Sequence, residues 1–243
     1  MGGFGLKWCK EVTSVLKKGL SGNQLKILAM LTMTADHVGL LLFPYVMWLR
    51  MVGRLAFPIY AFFIAEGCRH TRSKGKYLLS LLAVAALCQA VELFRGSLYQ
   101  CVLVTFSLSL GIIWLTELVR EKNTPSLWLA LGGAVLGSYF VCEILPGLLP
   151  GSDFRLDYGV WGVMTPVLVS MGKTKERRLT GLLLGLCCIA AGSARIQWLS
   201  LLAVPLLYFY NGQRGKRNIK WLFYFYYPAH LAVIYLIGSL LRS

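Results

Sequence analysis

An acid and a histidine stand side by side in the middle of an apolar stretch. Asp36 and His37 lie within residues 25–43, which are otherwise almost entirely apolar. At the rise of an α-helix this stretch is about as long as the hydrocarbon core of a bilayer is thick, roughly 30 Å. A charge at that depth costs roughly 2–3 kcal/mol or more, so the pair indicates a cavity, a partner or a substrate.

His37 is the candidate catalytic residue of the pair. An imidazole that titrates near neutral pH is suited to take a proton from an amine or a hydroxyl. Neighbouring residues point about 100° apart around a helix, so Asp36 and His37 cannot easily hydrogen-bond each other. Each therefore needs its own partner, or both face a shared wet cavity. The competing interpretation is that His37 only hydrogen-bonds another helix.

A second stretch, residues 53–67, adds an arginine and a proline. Pro58 is expected to disrupt the helix and to free backbone carbonyls. Arg54 lies one turn before it, where its guanidinium could pair with Asp36 or bind a phosphate or a carboxylate. Whether Asp36 pairs with Arg54 or with His230 stays open.

The last apolar stretch contributes a second intramembrane histidine. Aromatic residues at its start fit the belt at a membrane interface. That explanation does not cover Pro228 and His230, which lie deeper. A second intramembrane histidine next to a proline is unusual in a purely structural helix.

The composition requires membrane-spanning helices to carry these residues. Of the 243 residues 57% are hydrophobic and only 14% are charged, whereas soluble domains carry about a quarter charged residues. The apolar runs are too long for barrel strands and lack strand alternation, so we predict an all-α integral membrane protein. About nine spans are predicted, at residues 25–43, 51–67, 77–94, 101–119, 126–145, 157–171, 179–193, 196–210 and 221–241.

The positive charges predict the orientation of these spans. Nineteen of the 25 Lys and Arg residues fall in residues 1–26, 68–76, 120–125, 172–178 and 211–220. Basic residues favour the cytoplasmic side, so we predict a multi-pass protein of the cell membrane with its N-terminus in the cytoplasm. The same placement argues against nucleic-acid binding, despite a net charge of +15.

Two regions and no metal centre are expected. Residues 1–24 are basic and could lie as an amphipathic helix on the membrane, and no signal peptide is recognised there. Residues 25–243 form one transmembrane domain. The seven cysteines show no spacing typical of a metal site, so we expect them to be structural and reduced.

Taken together, these motifs resemble the TraX family of polytopic membrane proteins. The matching residues are Leu25-Lys26, Met33, Asp36-His37, Gly53-Arg54-Leu55-Ala56-Phe57-Pro58-Ile59, Glu66-Gly67, His70-Thr71, Tyr210-Asn211-Gly212, Arg214-Gly215, Phe223-Tyr224, Tyr227-Pro228 and His230-Leu231. They occur in a consistent order over nearly the whole chain.

The resemblance implies an acetyltransferase that modifies the N-terminal amine of conjugative pilin. It also implies a distant similarity to the acyltransferase-3-type membrane enzymes, which carry acyl groups from cytoplasmic acyl-coenzyme A toward the outer face. Those enzymes have a basic residue, ten residues and then a functional histidine in the first span. Lys26 and His37 have that spacing, which places them about 16 Å apart along a helix.

The expected reaction uses acetyl-coenzyme A as acyl donor and His37 as general base or acyl carrier. Asp36, Arg54 and His230 complete the predicted catalytic set, with Asp36 orienting His37 indirectly or pairing with Arg54. Arg54 or His230 could stabilise the oxyanion that forms during acyl transfer. The donor is predicted to bind to residues near the cytoplasmic face and to Tyr227. Its phosphates would contact the basic loops. The full donor-binding set is Lys26, Glu66, Arg69, Arg72, Lys74, Lys76, Asn211, Arg214, Lys216 and Tyr227.

Two other functions compete with acyl transfer. A transporter or flippase would use Asp36, His37, Arg54 and Glu66 as a substrate or proton path, although no paired broken segments recur in two halves. A membrane cysteine peptidase would need a Cys–His pair, for which Cys68 and His70 are the candidates. The acceptor, whether peptide, glycan or small molecule, stays open, as does the oligomeric state.

Overall fold

A computed structural model describes residues 19–216 and 219–241, and in these ranges every regular element is helical. The predicted N-terminal amphipathic segment lies outside the described residues as far as residue 18. The α-helices are α1 (Gly22–Leu41), α2 (Met47–Gly53), α3 (Ala56–His70), α4 (Lys74–Phe94), α5 (Val102–Lys122), α6 (Pro125–Tyr139), α7 (Leu145–Leu148), α8 (Gly159–Met171), α9 (Lys175–Ala191), α10 (Ala203–Tyr208) and α11 (Lys220–Leu240). A π-helical turn, Phe140–Ile144, joins α6 to α7, and a 3₁₀-helix, Arg195–Leu202, leads into α10.

Short polar sequences start several of these helices. Ser21 caps α1 in a capping box: its hydroxyl accepts from the Gln24 amide while the Gln24 side chain accepts from the Ser21 amide at 2.8 Å. Ser73 caps α4 and Thr174 caps α9 by a simpler contact, in which only the hydroxyl of the cap residue accepts a backbone hydrogen bond. Pro125 occupies the start of α6, where its missing N–H leaves no helical hydrogen bond unmade.

All nine predicted apolar segments are helical, but not all are clearly membrane spans. In the described residues, five helical stretches are long and apolar enough to cross a bilayer: 47–70, 74–94, 102–122, 125–148 and 222–240. By contrast, α8 has 13 residues and rises about 20 Å, less than the hydrocarbon thickness. The prediction of about nine spans therefore holds for the number of helical segments, while the described residues support five spans by length and composition.

The second span is interrupted close to the predicted proline. The break lies at Arg54–Leu55, where α2 ends and α3 begins, three to four residues before Pro58. Pro58 has no N–H to donate to the carbonyl of Arg54, four residues earlier, so a break at this place is the disruption expected of the proline. Arg54 therefore sits at the junction of the two helices.

The core of the bundle forms around α3. Most of its residues are buried, among them Phe62 and Ile59, and it contacts α1, α5, α8, α9 and α10. At the periphery, α6 exposes large apolar residues such as Leu129 and Leu136, as expected of a surface that faces lipid.

The helix ends gather at two ends of the bundle. At the first end, Leu20 pairs with Tyr210, and the Lys175 ammonium donates to the Tyr210 carbonyl at 2.9 Å. At the second end, Gln100 pairs with Leu156. The described parts of the basic segments predicted to be cytoplasmic lie at the first end, called the basic end below. The orientation of the bundle in the membrane stays a prediction.

Candidate functional site

The buried His230 and the partly buried His37 form a direct pair between the first and the last described helix. His37 on α1 and His230 on α11 approach with 3.0 Å between Nδ1 of His37 and Nε2 of His230. The other ring nitrogen of His230, Nδ1, lies 3.0 Å from the backbone carbonyl of Tyr226. The ring of Tyr226 stacks on His230, and its hydroxyl is hydrogen-bonded to Thr34 on α1.

This chain of hydrogen bonds fixes which nitrogens carry protons. A carbonyl oxygen only accepts, so Nδ1 of His230 must be the donor to Tyr226. In a neutral His230, Nε2 then carries the lone pair and accepts from Nδ1–H of His37. A neutral His37 consequently has its lone pair on Nε2.

Asp36 is held by two arginines of the neighbouring hairpin. Its carboxylate pairs with Arg50 at 2.8 Å and with Arg54, whose guanidinium also donates to Gln197 at 3.2 Å. Gly53 makes this approach possible, because any Cβ at that position would overlap the Asp36 side chain. The predicted contact between Asp36 and Arg54 is therefore present.

The different surroundings of Asp36 and His37 follow from their positions on α1. The two side chains point about 100° apart, so one faces α2 and the other faces α11. Asp36 accordingly contacts Arg50, and His37 contacts His230. The expectation that each needs its own partner is confirmed.

A small cavity adjoins both residues. Its volume is about 40 Å³, which is enough for ordered water or a small polar group. The walls come from α1, α2, α3, α5, α11 and the 149–158 loop. The lining residues are Met33, Asp36, His37, Gly53, Ala56, Phe57, Tyr60, Val102, Phe106, Asp157, Tyr158 and Tyr227.

The 149–158 loop brings a second carboxylate to the cavity. Burial raises the pKa of Asp157 to about 6, although a hydrogen bond from Tyr99 and the charge of Arg54 act in the opposite direction. Tyr158 next to it has a positive φ of 63°, which is uncommon for a bulky residue, and its ring stacks on Phe57 at 3.9 Å between centroids. Such strain persists only where the surroundings hold the residue firmly, and here it presents Tyr158 to the cavity.

Two of the predicted donor-binding residues lie along the axis between the basic end and the cavity. The Lys26 ammonium lies 5.0 Å from the ring centre of Phe63 on α3 and 5.4 Å from that of Phe223 on α11. Tyr227 is buried farther in, with its ring at right angles to His37 and at 6.4 Å. It therefore belongs to the histidine site rather than to the basic loops.

The 211–216 loop packs on the first turn of α1. The carbonyls of Gln213 and Arg214 accept from the amides of Gly22 and Asn23, at 2.8 and 2.9 Å. Within the loop, the Asn211 side chain accepts from the Gln213 amide at 2.9 Å. Loop and helix start are thus joined, and the side chains of Asn211, Arg214 and Lys216 are exposed at the basic end.

The remaining predicted donor-binding residues divide into exposed and paired ones. Arg69, Arg72 and Lys76 are exposed at the basic end. Lys74 instead forms an ion pair with Glu117. Glu66 is buried and pairs with an arginine that the sequence did not single out, Arg178 on α9. Its negative charge is therefore neutralised within the bundle.

The structure separates the groups that the competing functions require. Glu66 lies twelve residues after Arg54, about 18 Å farther along the helix, and is not among the cavity-lining residues. Cys68 is fully buried, while Nδ1 of the exposed His70 is hydrogen-bonded to the Glu66 carbonyl at 2.9 Å. Within residues 19–216 and 219–241, no three His, Cys, Asp or Glu side chains could hold a metal ion together.

Several residues were not assigned to this site from the sequence. Arg50 lies four residues before Arg54, a spacing that puts both on one helix face and could have identified it. Gln197, Asp157 and Tyr158 come from segments far away in the chain. Only the tertiary packing brings them to α1.

The fold and the site define a helical membrane protein with a histidine pair and a clamped carboxylate beside a small internal cavity. The family model described as "TraX protein" matches residues 21–238, and the chain belongs to the TraX family.

Two relatives accompany this match. The probable fimbrial assembly protein FimC, serogroup H1, of Dichelobacter nodosus is 28% identical over 244 aligned positions, which cover 88% of this chain and 94% of that protein. An uncharacterized protein, RP591, of Rickettsia prowazekii (strain Madrid E) is 49% identical over 39 positions, 16% of each chain. No solved structure matches significantly.

Proposed function

We propose that this protein is a membrane acetyltransferase that moves an acetyl group from cytoplasmic acetyl-coenzyme A to an amine or hydroxyl at or across the membrane. The observation that carries the proposal is the oriented histidine pair. His230 accepts from Nδ1 of His37, which leaves the Nε2 lone pair of His37 for a substrate proton. A base oriented by a third group is the arrangement that acyl-transfer enzymes use.

The proposed chemistry assigns a step to each atom. His37 Nε2 takes the proton of the acceptor amine or hydroxyl as that group attacks the thioester carbonyl carbon. The tetrahedral intermediate collapses, the C–S bond breaks, and His37 returns the proton to the departing thiolate. While His37 is protonated, its Nδ1–H donates to His230, and this hydrogen bond stabilises the positively charged imidazolium ring.

Arg54 and His230 each have hydrogen-bond partners that change the role predicted for that residue. Both nitrogens of His230 are engaged, one by His37 and one by the Tyr226 carbonyl, so His230 acts as a positioning residue. Arg54 is bonded to Asp36, to Gln197 and to the Arg50 carbonyl, and it anchors the α2–α3 junction. The hydroxyls of the cavity tyrosines, Tyr60 and Tyr158, are the better candidates to stabilise an oxyanion.

Asp36 has an electrostatic role in this proposal. Two guanidiniums near His37 would oppose its protonation, because like charges repel. The Asp36 carboxylate neutralises one of these two charges and ties Arg50 and Arg54 in place. It therefore supports the base through the field rather than through direct contact.

Acetyl-coenzyme A fits the basic end by charge. Polyphosphates are bound by guanidiniums and ammonium groups, and Arg69, Arg72 and Lys76 are exposed there together with the 211–216 loop. Lys26 lies on the route toward His37, about 16 Å from it along α1. The acetyl group is of the size that the cavity beside His37 admits.

The relative from Dichelobacter is named a probable fimbrial assembly protein. This name and the family membership support a role in fimbrial or pilin assembly for this chain, with a surface subunit as the acceptor. The acetyl group would then be added to the subunit in the membrane before assembly.

The test compares two of the three histidines of the chain. Wild type, His37→Ala and His70→Ala are purified in lipid nanodiscs, and release of coenzyme A from acetyl-coenzyme A is followed by mass spectrometry, with and without solubilised membrane extract as acceptor source. Loss of the general base should lower turnover by roughly 10²–10⁴-fold in His37→Ala. His70→Ala should match the wild type, since that ring is exposed at the basic end.

Equal turnover of His37→Ala and wild type would refute the assignment of the base. Movement of a substrate across proteoliposomes with no release of coenzyme A would replace the proposal with the transporter or flippase alternative.

A further inference from the structure

The cavity beside His37 has an apolar wall to which the proposed chemistry assigns no role. Val102 and Phe106 lie one turn apart on one face of α5, and both line the cavity. The Phe106 ring stacks on that of Phe57 on α3, with 5.6 Å between the centroids, and Phe57 stacks in turn on Tyr158 at 3.9 Å. Three aromatic rings therefore form a column from Tyr158 to α5.

The core holds Phe106 in place. Only 2% of this residue is exposed, and it belongs to the main cluster of buried apolar residues. A side chain in a close-packed interior cannot turn aside without displacing its neighbours. Phe106 is therefore a firm boundary of the cavity.

The volume of the cavity matches an acetyl group. One water-sized group of atoms takes about 10–15 Å³ of such a space. A cavity of about 40 Å³ has room for about three of them. An acetyl group has three non-hydrogen atoms, whereas a propionyl group adds one methylene and a butyryl group adds two. The longer acyl groups exceed the volume of the cavity.

We infer that Phe106 limits the acyl group to acetyl, and that a smaller residue at this position admits propionyl and butyryl groups. The inference rests on the proposed acetyltransferase function and adds to it the residue that selects the acyl donor. The thioester carbonyl lies beside His37, and the methyl group of the acetyl points toward the apolar wall. The bonds made and broken are the same for every acyl length, and only the room for the chain differs.

Phe106 is the wall residue that can be changed with the least effect on the proposed chemistry. His37 is the base, and Tyr60 and Tyr158 carry the hydroxyls proposed for the oxyanion. Phe57 supports Tyr158 directly by stacking on it. Phe106 stacks on Phe57 and its side chain has no polar atom, so it contributes shape alone.

Two substitutions of different size should enlarge the cavity by different amounts. Phe106→Ala removes six carbon atoms from the wall, and Phe106→Leu removes three. The space left by such a change closes only in part, because the surrounding structure relaxes incompletely. Phe62→Leu is the matched control, since Phe62 is fully buried on α3 but is not among the cavity-lining residues.

The experiment compares the wild type, the two Phe106 variants and the control in lipid nanodiscs. Release of coenzyme A from acetyl-, propionyl- and butyryl-coenzyme A is measured by mass spectrometry with one acceptor extract. The quantity compared is the ratio of acetyl to butyryl turnover within one preparation, which does not depend on the fraction of folded protein.

We expect the wild type to favour acetyl over butyryl by about 100-fold or more, since one methylene group in an apolar pocket changes the rate by roughly 10–200-fold. The ratio should fall by about tenfold or more in Phe106→Leu, and further in Phe106→Ala. In Phe62→Leu the ratio should equal that of the wild type.

Three results would overturn the inference while the acetyltransferase activity stands. The wild type transfers butyryl as fast as acetyl; both Phe106 variants keep the wild-type ratio or lose turnover with every donor; or Phe62→Leu lowers the ratio as much as Phe106→Leu does. Absence of coenzyme A release from all four proteins would instead refute the proposed function, and the inference with it.

Discussion

Neutralising Asp36 should destabilise the bundle more than neutralising any exposed acid. The carboxylate sits between two guanidiniums, and the side chains of Asp36 and Arg54 are only 15% and 10% exposed. In Asp36→Asn the shape and one acceptor oxygen are kept, but both arginines lose their counter-charge. The perturbation is therefore almost purely electrostatic.

The size of the effect follows from the geometry. At an effective dielectric constant near 20, the attraction between two opposite charges about 3–4 Å apart is about 4–6 kcal/mol. The attraction of Asp36 for its two arginines is opposed by the repulsion between Arg50 and Arg54 and by the cost of burying all three groups. Removing one partner from a buried pair costs about 3–5 kcal/mol, and we expect the lower part of that range because Arg50 is 24% exposed. For a chain of this length that corresponds to a fall in melting temperature of roughly 6–12 °C.

The assay is thermal unfolding of the purified protein in detergent, followed by size-exclusion chromatography with tryptophan fluorescence. Glu121→Gln, which neutralises an exposed carboxylate at the end of α5, is the matched control and should melt within about 1 °C of the wild type. A second variant that adds Arg50→Gln to Asp36→Asn should recover part of the loss, since it removes one uncompensated charge.

An Asp36→Asn protein that melts with the wild type would refute the clamp as a source of stability. A double variant less stable than Asp36→Asn would show that Arg50 acts through its packing rather than through its charge.

Two further predictions test the packing and the electrostatics around the cavity. Gly53→Ala should lower the free energy of unfolding by about 1–3 kcal/mol, and with it the melting temperature, because the new methyl group overlaps the Asp36 side chain. Gly133→Ala is the control, since its new Cβ would meet open space and should leave the melting temperature unchanged. Equal melting temperatures of the two variants would contradict the close approach of Asp36 to Gly53. For Asp157, the pKa of about 6 lies above its ordinary value of 3.8, so the folded state binds the proton more tightly than the unfolded state does. The protonated carboxyl group therefore contributes about 3 kcal/mol to stability below pH 4, and this contribution is lost as the pH rises through 6. The melting temperature of the wild type minus that of Asp157→Asn should therefore fall between pH 4 and pH 7. A difference independent of pH would show that the pKa of Asp157 is not raised in the folded protein.

The sequence was most informative for features that depend on a single helix. The separation of Asp36 from His37 around α1 needs only the helical repeat, and it correctly predicts different partners for the two. Arg54 could also be proposed from sequence, because an arginine in an apolar run must find an acid. The choice of Arg54 over His230 for Asp36 required the structure.

Pairings between distant helices could not be predicted. Glu66 was expected at a ligand site but is neutralised by Arg178, 112 residues later in the chain. No periodicity in one sequence encodes which of several helix faces meet, since any apolar face can pack on any other in lipid. For the same reason, the direct contact of His37 with His230 required the bundle as a whole.

The hydrogen bond between His37 and His230 also sets the stage of synthesis at which the proposed base can first be oriented. Its two residues are separated by 193 positions, and one belongs to the first described helix while the other belongs to the last. A ribosome must therefore synthesise the chain as far as α11, and α11 must enter the membrane, before the two rings can meet. Chains that end before α11 would carry His37 without its partner, so that the proposed acyl transfer would require α11.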